Sequence, residues 1–439
     1  MNDINYSKLS ICDEEGRVFE KNGTIYRAIY TSNAKIIQFL NTNLCKELEE
    51  KGFIPKTKIT DFKLDGYQVV LEHETANYIN YPHEWSFQML KDACLLLLEI
   101  DEISNKHGYN LKDGHMFNIV FFNGKPKFVD IGSIVPKGNG NYSYLDEFKN
   151  RAFLPLLLWS ESQYGLAFNI IRENSFHLNT NELINLYRGI VLVQDFGIKS
   201  FLNYLKARKN VFPLFYTSKI QDLKKAIVAL ELKNYKSTWV NYHQPFYQGD
   251  KIQTTPRFEK LISIVNDLNI SSMCDVASNE GVFSILVNER CKQVKKIISI
   301  DYDENAINNF YKKLAQASHL SKITAIVNNI VAPSINYFEI LPELRYKSDC
   351  VVALALTHHL ILGQNYHIDV IFNRLLSITN KYLIVEFMPL GLWGGEGHEL
   401  PKLPAFYTEK WFEENLSKQA KIIAKHKLES NRICFVCEK

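Results

Sequence analysis

Short apolar segments alternate with helical stretches from Phe258 onwards, and this alternation restricts the fold more than any other feature of the chain. Each segment is rich in β-branched residues, as the buried strands of a parallel sheet are. The predicted strands are residues 273–276, 296–300, 323–327, 350–356 and 382–387. Parallel strands need helical crossovers, so the pattern predicts a doubly wound α/β sheet. Residues 421–427 and 432–437 are close enough to pair as an antiparallel hairpin.

The chain has 439 residues, too many for one ordinary hydrophobic core, so we expect two or three domains. Residues 239–256 are rich in aromatic, Gln, Gly and Pro residues and predict the start of a second domain. We predict a small α+β region at 1–80, a mainly helical region at 81–235 and the α/β domain at 236–439.

The overall charge gives no reason to expect nucleic acid or an anionic membrane surface as a partner. Lys and Arg number 51 and Asp and Glu number 48, which leaves +3, near neutral for this length. The first residues lack the apolar core of a signal peptide, and the longest apolar runs fall far short of the ~20 residues that span a bilayer. We therefore expect a cytoplasmic protein without a membrane span.

Cys434 and Cys437 form a CxxC pattern within the last predicted strand. Residues three apart in a strand face opposite sides, so one metal ion could not easily bind both. No second cysteine pair has the spacing to complete a zinc site. We expect both to be small buried side chains.

A strand, a tight turn and a helix follow one another between Met273 and Ser284. Small residues in such a turn let the backbone approach a ligand, and the helix N-terminus favours a polar or anionic group. Ala277 and Asn279 occupy places where glycines are common, and Gly281 is the glycine that remains. The next strand ends in Asp301, 20 residues after Gly281, a spacing at which an acid meets a pair of ribose hydroxyls.

Three sequence motifs carry a family resemblance. They are DVASNEG at 275–281, LALTHHL at 354–360 and LIVEF at 383–387. Residues 236–439 resemble a class I S-adenosylmethionine (AdoMet)-dependent methyltransferase, a Rossmann-like domain with a seven-stranded sheet. The whole chain resembles the bacterial nodulation-protein-type (NoeA-like) methyltransferases.

The resemblance implies a set of AdoMet-binding residues. Around the methionine end these are Asp275, Ala277, Asn279 and Gly281. Asp301 with Tyr302 would hold the ribose, and Ala355 would lie at the next strand end. Asn329 occupies the place of an acidic residue that binds adenine, and its amide oxygen can accept the same hydrogen bond.

His358 and His359 follow the fourth strand, where ligands bind in such sheets. A histidine there could take a proton from a hydroxyl acceptor during methyl transfer. We predict catalytic roles for these two residues and for Glu386; the alternative is that a histidine caps a helix or holds a loop. The glycine-rich segment 391–398 is either a lid over the acceptor or a surface loop.

The N-terminal half carries a second constellation. Strands at 16–19 and 24–30 flank an Asn22-Gly23 turn, a helix is expected at 34–50, and a long amphipathic helix at 85–107. Asp113 and Asn118 are five residues apart, and Asp130 follows 12 residues later.

These spacings resemble the catalytic core of protein-kinase-like and aminoglycoside-kinase-like phosphotransferases. The resemblance implies that Asp113 orients an acceptor hydroxyl, and that Asn118 and Asp130 hold Mg²⁺ beside ATP. Arg27 would replace the usual lysine, with Glu47 or Glu49 as its helix partner. Three interpretations stay open: a degenerate binding domain, an active small-substrate kinase and a chance match.

Taken together, the sequence predicts an AdoMet-dependent methyltransferase that O-methylates a glycan, a phosphorylated glycan or a small metabolite. The kinase-like region would bind or phosphorylate that acceptor. The alternative is a non-catalytic binding or scaffold protein built from two degenerate enzyme-like domains. The sequence assigns no oligomeric state.

Overall fold

The computed structural model describes most of the chain. The described residues are 4–10, 13–32, 34–138, 144–173, 178–193, 197–232, 237, 239–240, 242, 246–248, 251–333, 335, 340–395 and 397–439. The chain divides into two compact units, and the boundary in sequence falls between residues 235 and 236. The further division of the first unit at residue 80 stays a prediction.

The N-terminal unit begins with a five-stranded antiparallel sheet in the order β1-β2-β3-β5-β4. Its strands are β1 Asn5–Tyr6, β2 Gly16–Lys21, β3 Thr24–Ile29, β4 Thr57–Thr60 and β5 Val69–His73. Asn22 and Gly23 both have positive φ, which gives the tight β2–β3 turn that the Asn-Gly pair predicts. Phe19, Ala28 and Val70 form the buried centre of this sheet.

Two short helices, α1 Lys35–Leu40 and α2 Asn43–Glu50, replace the single helix predicted over 34–50. Thr42 causes the break, because its hydroxyl donates to the carbonyl of Phe39 and accepts from the backbone nitrogen of Cys45. The side chain thereby ends one helix and caps the next.

The predicted long helix is present as α3 Phe87–Lys106, and it ends before Gly108, whose φ is 78°. Two short antiparallel pairs follow: β6 Tyr109–Leu111 with β9 Ile134–Pro136, and β7 Ile119–Phe122 with β8 Lys125–Phe128. The remaining helices are α4 Tyr144–Phe148, α5 Leu154–Ser160, α6 Tyr164–Arg172, α7 Thr180–Val193, α8 Ile198–Asn210, α9 Phe212–Tyr216 and α10 Ile220–Ala229.

The C-terminal unit is built on a seven-stranded mixed sheet in the order β14-β13-β12-β15-β16-β18-β17. The strands are β12 Ser272–Val276, β13 Lys296–Asp301, β14 Ile323–Val327, β15 Ser348–Ala353, β16 Thr379–Phe387, β17 Lys421–Glu429 and β18 Arg432–Glu438; a small pair, β10 Tyr247–Gln248 and β11 Lys251–Ile252, precedes them. The first five strands are parallel, and β18 enters antiparallel between β16 and β17. The doubly wound sheet and the terminal hairpin are both present.

Helices cover both faces of this sheet. They are α11 Pro256–Asp267, α12 Val282–Arg290, α13 Glu304–Gln316, α14 Pro342–Arg345, α15 Ile368–Ser377 and α16 Glu409–Ser417. Helices α11 to α13 pack with Cys434 and Val436 in one core. Phe435 points the other way, because strand residues alternate, and it contacts Phe412 of α16.

Two details of β15 and β18 bear on the predictions. The predicted strand 350–356 ends at Ala353, since Ala355 turns the backbone into the left-handed region with φ of 49°. Cys434 and Cys437 are both buried in β18, as expected for structural cysteines. No helix within the described ranges is long and apolar enough to cross a membrane.

Candidate active site

The carboxyl ends of β12, β13 and β15 meet at one edge of the C-terminal sheet, and the predicted AdoMet residues lie there. The chain adds β13 and β14 on one side of β12, and β15 and β16 on the other. In open α/β sheets, such a switch point leaves a crevice outside the strand ends. This edge is therefore the candidate ligand site of the C-terminal unit.

The turn at residues 277–281 has the backbone shape that a glycine-rich turn normally provides. Ala277, Asn279 and Gly281 have φ values of 58°, 52° and 72°. Asparagine adopts this left-handed backbone conformation easily, whereas in another non-glycine residue such as Ala277 it costs about 1–2 kcal/mol of conformational free energy. At 281 only glycine fits, because a Cβ there would lie 2.0 Å from Cζ of Phe310.

Asp301, the last residue of β13, fixes this turn from the neighbouring strand. Its Oδ2 accepts a hydrogen bond of 2.8 Å from the backbone nitrogen of Asn279, and its Oδ1 accepts one of 2.9 Å from that of Asp303. Burial raises the pKa of the Asp301 carboxyl to about 6, although these backbone donors act to lower it. Each carboxylate oxygen can accept more than one bond, so the group can still receive a ligand hydroxyl.

Asp275 is buried where β12, α12 and β13 come together. Its Oδ2 accepts a hydrogen bond of 2.7 Å from Oγ of Ser284, which in turn accepts one of 2.7 Å from Oγ of Ser299. Burial raises the pKa of Asp275 to about 7, against the lowering effect of the Ser284 bond. This chain of side chains supports the turn from the protein interior.

Trp239 is a residue that the sequence analysis missed, and it contacts three parts of this edge. Its carbonyl oxygen accepts a 2.8 Å hydrogen bond from Nδ2 of Asn279, and its Nε1 donates to the hydroxyl of the exposed Tyr302 at 3.0 Å. Its ring centroid lies 4.9 Å from that of His359. The only hint in the sequence is the aromatic-rich composition of 239–256.

Asn329 follows β14 and is exposed at the same edge. Its Oδ1 accepts hydrogen bonds from the backbone nitrogens of Val331, at 3.0 Å, and Ala332, at 3.2 Å. The amide oxygen thus already closes a turn, and its contact with adenine stays a prediction.

Glu386 is fully buried at the end of β16 and binds two arginines. Its Oε1 accepts a hydrogen bond of 2.8 Å from Nε of Arg257. Its Oε2 accepts hydrogen bonds from Nη2 of Arg257, at 2.7 Å, and from Nη1 of Arg432, at 3.2 Å. Oε2 also accepts a 2.9 Å bond from the backbone nitrogen of Ala355, and the Glu386 carbonyl accepts one of 2.9 Å from Oγ1 of Thr357. These contacts hold the segment that carries the histidines; a catalytic role for Glu386 itself stays a prediction.

His358 and His359 lie in the first turn of the helical segment that follows β15, and their ring centroids are 4.0 Å apart. Burial, and then the neighbouring His359 and Arg432, lower the pKa of His358 to about 3. His359 is half-buried, and burial lowers its pKa as well. Both rings are therefore neutral at neutral pH, and burial makes each a weaker base than a free imidazole.

Three buried polar atoms in the segments around this edge find no hydrogen-bond partner among the described residues: Oγ of Ser278, Nδ2 of Asn305 and Nδ1 of His358. Each such atom costs roughly 1–3 kcal/mol when left unpaired. The unpaired atoms are therefore candidate polar contacts for a ligand at this edge.

The segment 391–398 is described except for residue 396, which lies outside the described residues. Nε1 of Trp393 donates a 3.1 Å hydrogen bond to the carbonyl of His398, so the segment closes on itself. Its role as a lid or as a surface loop stays a prediction.

The structure brings the predicted residues of the N-terminal unit together. Oγ of Ser133 lies 2.8 Å from Oδ2 of Asp113 and also hydrogen-bonds Asp130, so one hydroxyl bridges two carboxylates. Nη2 of Arg27 lies 3.6 Å from Oδ1 of Asp130. The buried Asn118 is adjacent, because its carbonyl accepts a 2.8 Å bond from the backbone nitrogen of Val129.

The predicted helix partner of Arg27 is wrong. Glu47 contacts His107 at 2.9 Å, and Glu49 accepts a 3.0 Å hydrogen bond from the backbone nitrogen of Thr57. Asp13 is the acidic partner of Arg27 instead, since its Oδ2 accepts a hydrogen bond of 2.8 Å from Nε of Arg27. Within the described ranges, no three His, Cys, Asp or Glu side chains form a group that could hold a metal ion, so Mg²⁺ at Asn118 and Asp130 stays a prediction.

Comparison with known proteins gives one similar sequence over nearly the whole length. The chain is 24% identical to the nodulation protein NoeA of Rhizobium meliloti over an alignment of 460 residues. The alignment covers 95% of this chain and 92% of NoeA. No protein-family profile matches the chain.

Solved structures of two methyltransferases are similar to part of the chain. A SAM-dependent methyltransferase from Aquifex aeolicus is 14% identical, with a TM-score of 0.31, over 41% of this chain and 88% of that one. An O-methyltransferase family protein from Burkholderia thailandensis is 11% identical, with a TM-score of 0.30, over 41% of this chain and 55% of that one. TM-scores this low do not establish a fold by themselves. The fold assignment therefore depends on the strand order of the sheet in this chain.

Proposed function

We propose that the C-terminal unit binds AdoMet at the edge formed by β12, β13 and β15 and methylates an oxygen atom of an acceptor. The observation that carries this proposal is the bond from the Asn279 nitrogen to Oδ2 of Asp301. It joins a left-handed turn to an acid at the adjacent strand end, an arrangement that suits a nucleoside with ribose hydroxyls. The similarity to NoeA and the seven-strand order support the same conclusion.

The residues of the edge have distinct roles in this proposal. Asp301 accepts from the ribose hydroxyls, with Tyr302 beside it, and the turn 277–281 admits the amino-acid end of the cofactor. AdoMet supplies an electrophilic methyl group. His359, half-buried beside Trp239, takes the proton of the acceptor hydroxyl, and His358 supports its ring from the interior.

Glu386 acts as a positioning residue. Its bonds to Ala355 and Thr357 fix the backbone on which both histidines are carried, and the two arginines neutralise its charge. This contact set explains why a buried carboxylate is tolerated at the end of β16.

Calorimetry with S-adenosylhomocysteine, the demethylated product, tests the proposal directly. Saturable binding to the full chain is expected, and transfer of labelled methyl to glycan or small-metabolite fractions then identifies the acceptor. If neither AdoMet nor its product binds at millimolar concentration, the methyltransferase proposal fails and the scaffold alternative replaces it.

A second candidate function concerns the N-terminal unit. The cluster of Asp113, Ser133, Asp130 and Arg27 favours a site for a phosphorylated ligand, because it combines a fixed cation with two carboxylates that could share a metal ion. We propose that this unit binds ATP with Mg²⁺ and phosphorylates or holds the acceptor. Nucleotide binding that depends on Asp130 tests this proposal separately from AdoMet binding.

A further inference from the structure

Helix α8, Ile198–Asn210, presents its large apolar side chains to the solvent. Ile198 is 80% exposed, Phe201 and Leu202 are each 57% exposed, and Leu205 is 40% exposed. Their spacing of three, four and seven residues places all four on one face of the helix. A surface helix normally turns such a face toward the core, so this orientation is the reverse of the usual one.

The inner face of α8 carries its small side chains. Ser200 and Ala207 are buried, and Oγ of Ser200 donates a 2.5 Å hydrogen bond to the carbonyl of Leu192 at the end of α7. This bond fixes the rotation of the helix about its axis. Leu192 and Val193 are themselves exposed, so the apolar surface continues from α8 onto the end of α7.

Basic residues border the apolar face. Lys199, Lys206, Arg208 and Lys209 are exposed, and α8 contains no acidic residue, so its charge is +4. At 100° per residue, Lys199 and Lys206 lie along one border of the face, Arg208 lies along the other, and Lys209 lies on the face itself at its C-terminal end. The whole chain carries only +3, so this charge is concentrated locally.

We propose that α8 is an interfacial helix that binds the surface of an anionic lipid membrane. Helices of this kind lie in the plane of the interface, with Phe and Leu among the acyl chains and Lys and Arg at the headgroups. A 13-residue helix is about 20 Å long, too short to span the bilayer core of about 30 Å. The helix therefore lies on the membrane and does not cross it.

Charge favours lipid over a second copy of the chain. A symmetric contact of α8 with itself would bring the four cations of each copy together, and like charges in apposition are repulsive. An anionic bilayer provides both the apolar layer and the opposite charge at the depths that the two kinds of side chain need.

Sedimentation of the full chain with lipid vesicles tests the proposal. Binding is expected to vesicles of equal parts phosphatidylcholine and phosphatidylglycerol at low salt, and to be about tenfold or more weaker to phosphatidylcholine alone or at high salt. The double variant F201S/L202S is expected to bind about tenfold or more weakly. Both residues are exposed, so its thermal stability should stay close to that of the unsubstituted chain.

The matched control substitutions are at residues of α10, in the same unit, and at Lys219, which directly precedes α10. V228S removes a residue that is equally exposed, and the pair K219E/K225E reverses two exposed charges for comparison with K206E/K209E. Only the α8 variants are expected to lose binding. Equal binding by F201S/L202S, or no binding of the unsubstituted chain at low salt, overturns the proposal. Dimerisation in light scattering that F201S/L202S abolishes, without vesicle binding, assigns the face to a second copy instead.

Discussion

The backbone nitrogen of Asn279 lies 2.8 Å from Oδ2 of Asp301, which joins the turn after β12 to the end of β13. The same carboxylate accepts from the backbone of Asp303, where α13 begins. One side chain therefore fixes the turn, ends a strand and faces the proposed ribose site. This arrangement explains how the turn keeps its shape with a single glycine.

Replacing Asp301 by alanine is expected to weaken binding of S-adenosylhomocysteine about 100-fold. The change removes the acceptor for the ribose hydroxyls and frees the turn at Asn279, and bonds to a charged group contribute about 1.5–3 kcal/mol each. Calorimetry on both proteins measures the difference.

Asp267→Ala serves as the control, because Asp267 is exposed at the end of α11 and precedes β12 at the opposite edge. Its affinity for the product should match that of the unsubstituted chain. An Asp301→Ala protein that binds equally well would show that the carboxylate takes no part in the site.

Gly281→Ala is expected to destabilise the C-terminal unit by about 2–4 kcal/mol and to reduce product binding. The new Cβ would lie 2.0 Å from Cζ of Phe310, and φ of 72° is unfavourable for alanine. Chemical denaturation followed by fluorescence measures the loss. Gly363→Ala is the matched control, since Gly363 has open space around its Cα.

A second substitution separates the two causes of that loss. If the clash with the ring dominates, Phe310→Leu should recover part of the stability lost in Gly281→Ala. Equal stability of Gly281→Ala and Gly363→Ala would contradict the close approach of Phe310.

Local patterns predicted the strands of the C-terminal sheet well, because parallel strands buried on both faces are apolar throughout. They did not reveal the left-handed backbone of the turn at 277–281, since a carboxylate 22 residues after Asn279 fixes that turn. The partners of Glu386 were equally hidden, as Arg257 lies 129 residues away. A single sequence shows spacing along the chain, whereas these contacts arise only when distant strand ends meet.

Glu386→Ala is expected to cost about 3–5 kcal/mol of stability, because it leaves the guanidinium groups of Arg257 and Arg432 without their buried partner. Glu429→Ala is the matched control. Glu429 also pairs with Arg432, at 2.9 Å, but its side chain is 47% exposed, so the loss should stay below about 1 kcal/mol. Urea denaturation of the two variants compares them, and equal losses would contradict the positioning role of Glu386.

His358→Gln is expected to flatten the dependence of stability on pH below neutrality. An unfolded histidine titrates near 6.5, whereas burial lowers the pKa of His358 to about 3. Below pH 6.5 the unfolded chain binds a proton that the native chain excludes, so native stability falls as pH drops from 6.5 toward 3. His358 should account for a fall of about 2 kcal/mol in the free energy of unfolding between pH 7.5 and pH 5.

Denaturation curves at both pH values measure that difference for each protein. The exposed His319 gives the control His319→Gln, which should keep the full slope of the unsubstituted chain. An unchanged slope in His358→Gln would mean that the ring is accessible to protons in the native state.

Asp130→Ala is expected to abolish binding of ATP with Mg²⁺ to the N-terminal unit while leaving binding of S-adenosylhomocysteine unchanged. The change removes the carboxylate that lies 3.6 Å from Nη2 of Arg27 and shares the hydroxyl of Ser133 with Asp113. Because hard oxygen ligands hold Mg²⁺, loss of the Asp130 carboxylate should remove the metal and with it most of the nucleotide affinity.

Calorimetry with both ligands on the full chain measures the two sites. The control Asp65→Ala changes an exposed acid of the same unit, and this variant should bind both ligands normally. If the unsubstituted chain binds no nucleotide with Mg²⁺ present, the cluster is structural and the N-terminal unit acts as a binding domain without phosphotransfer.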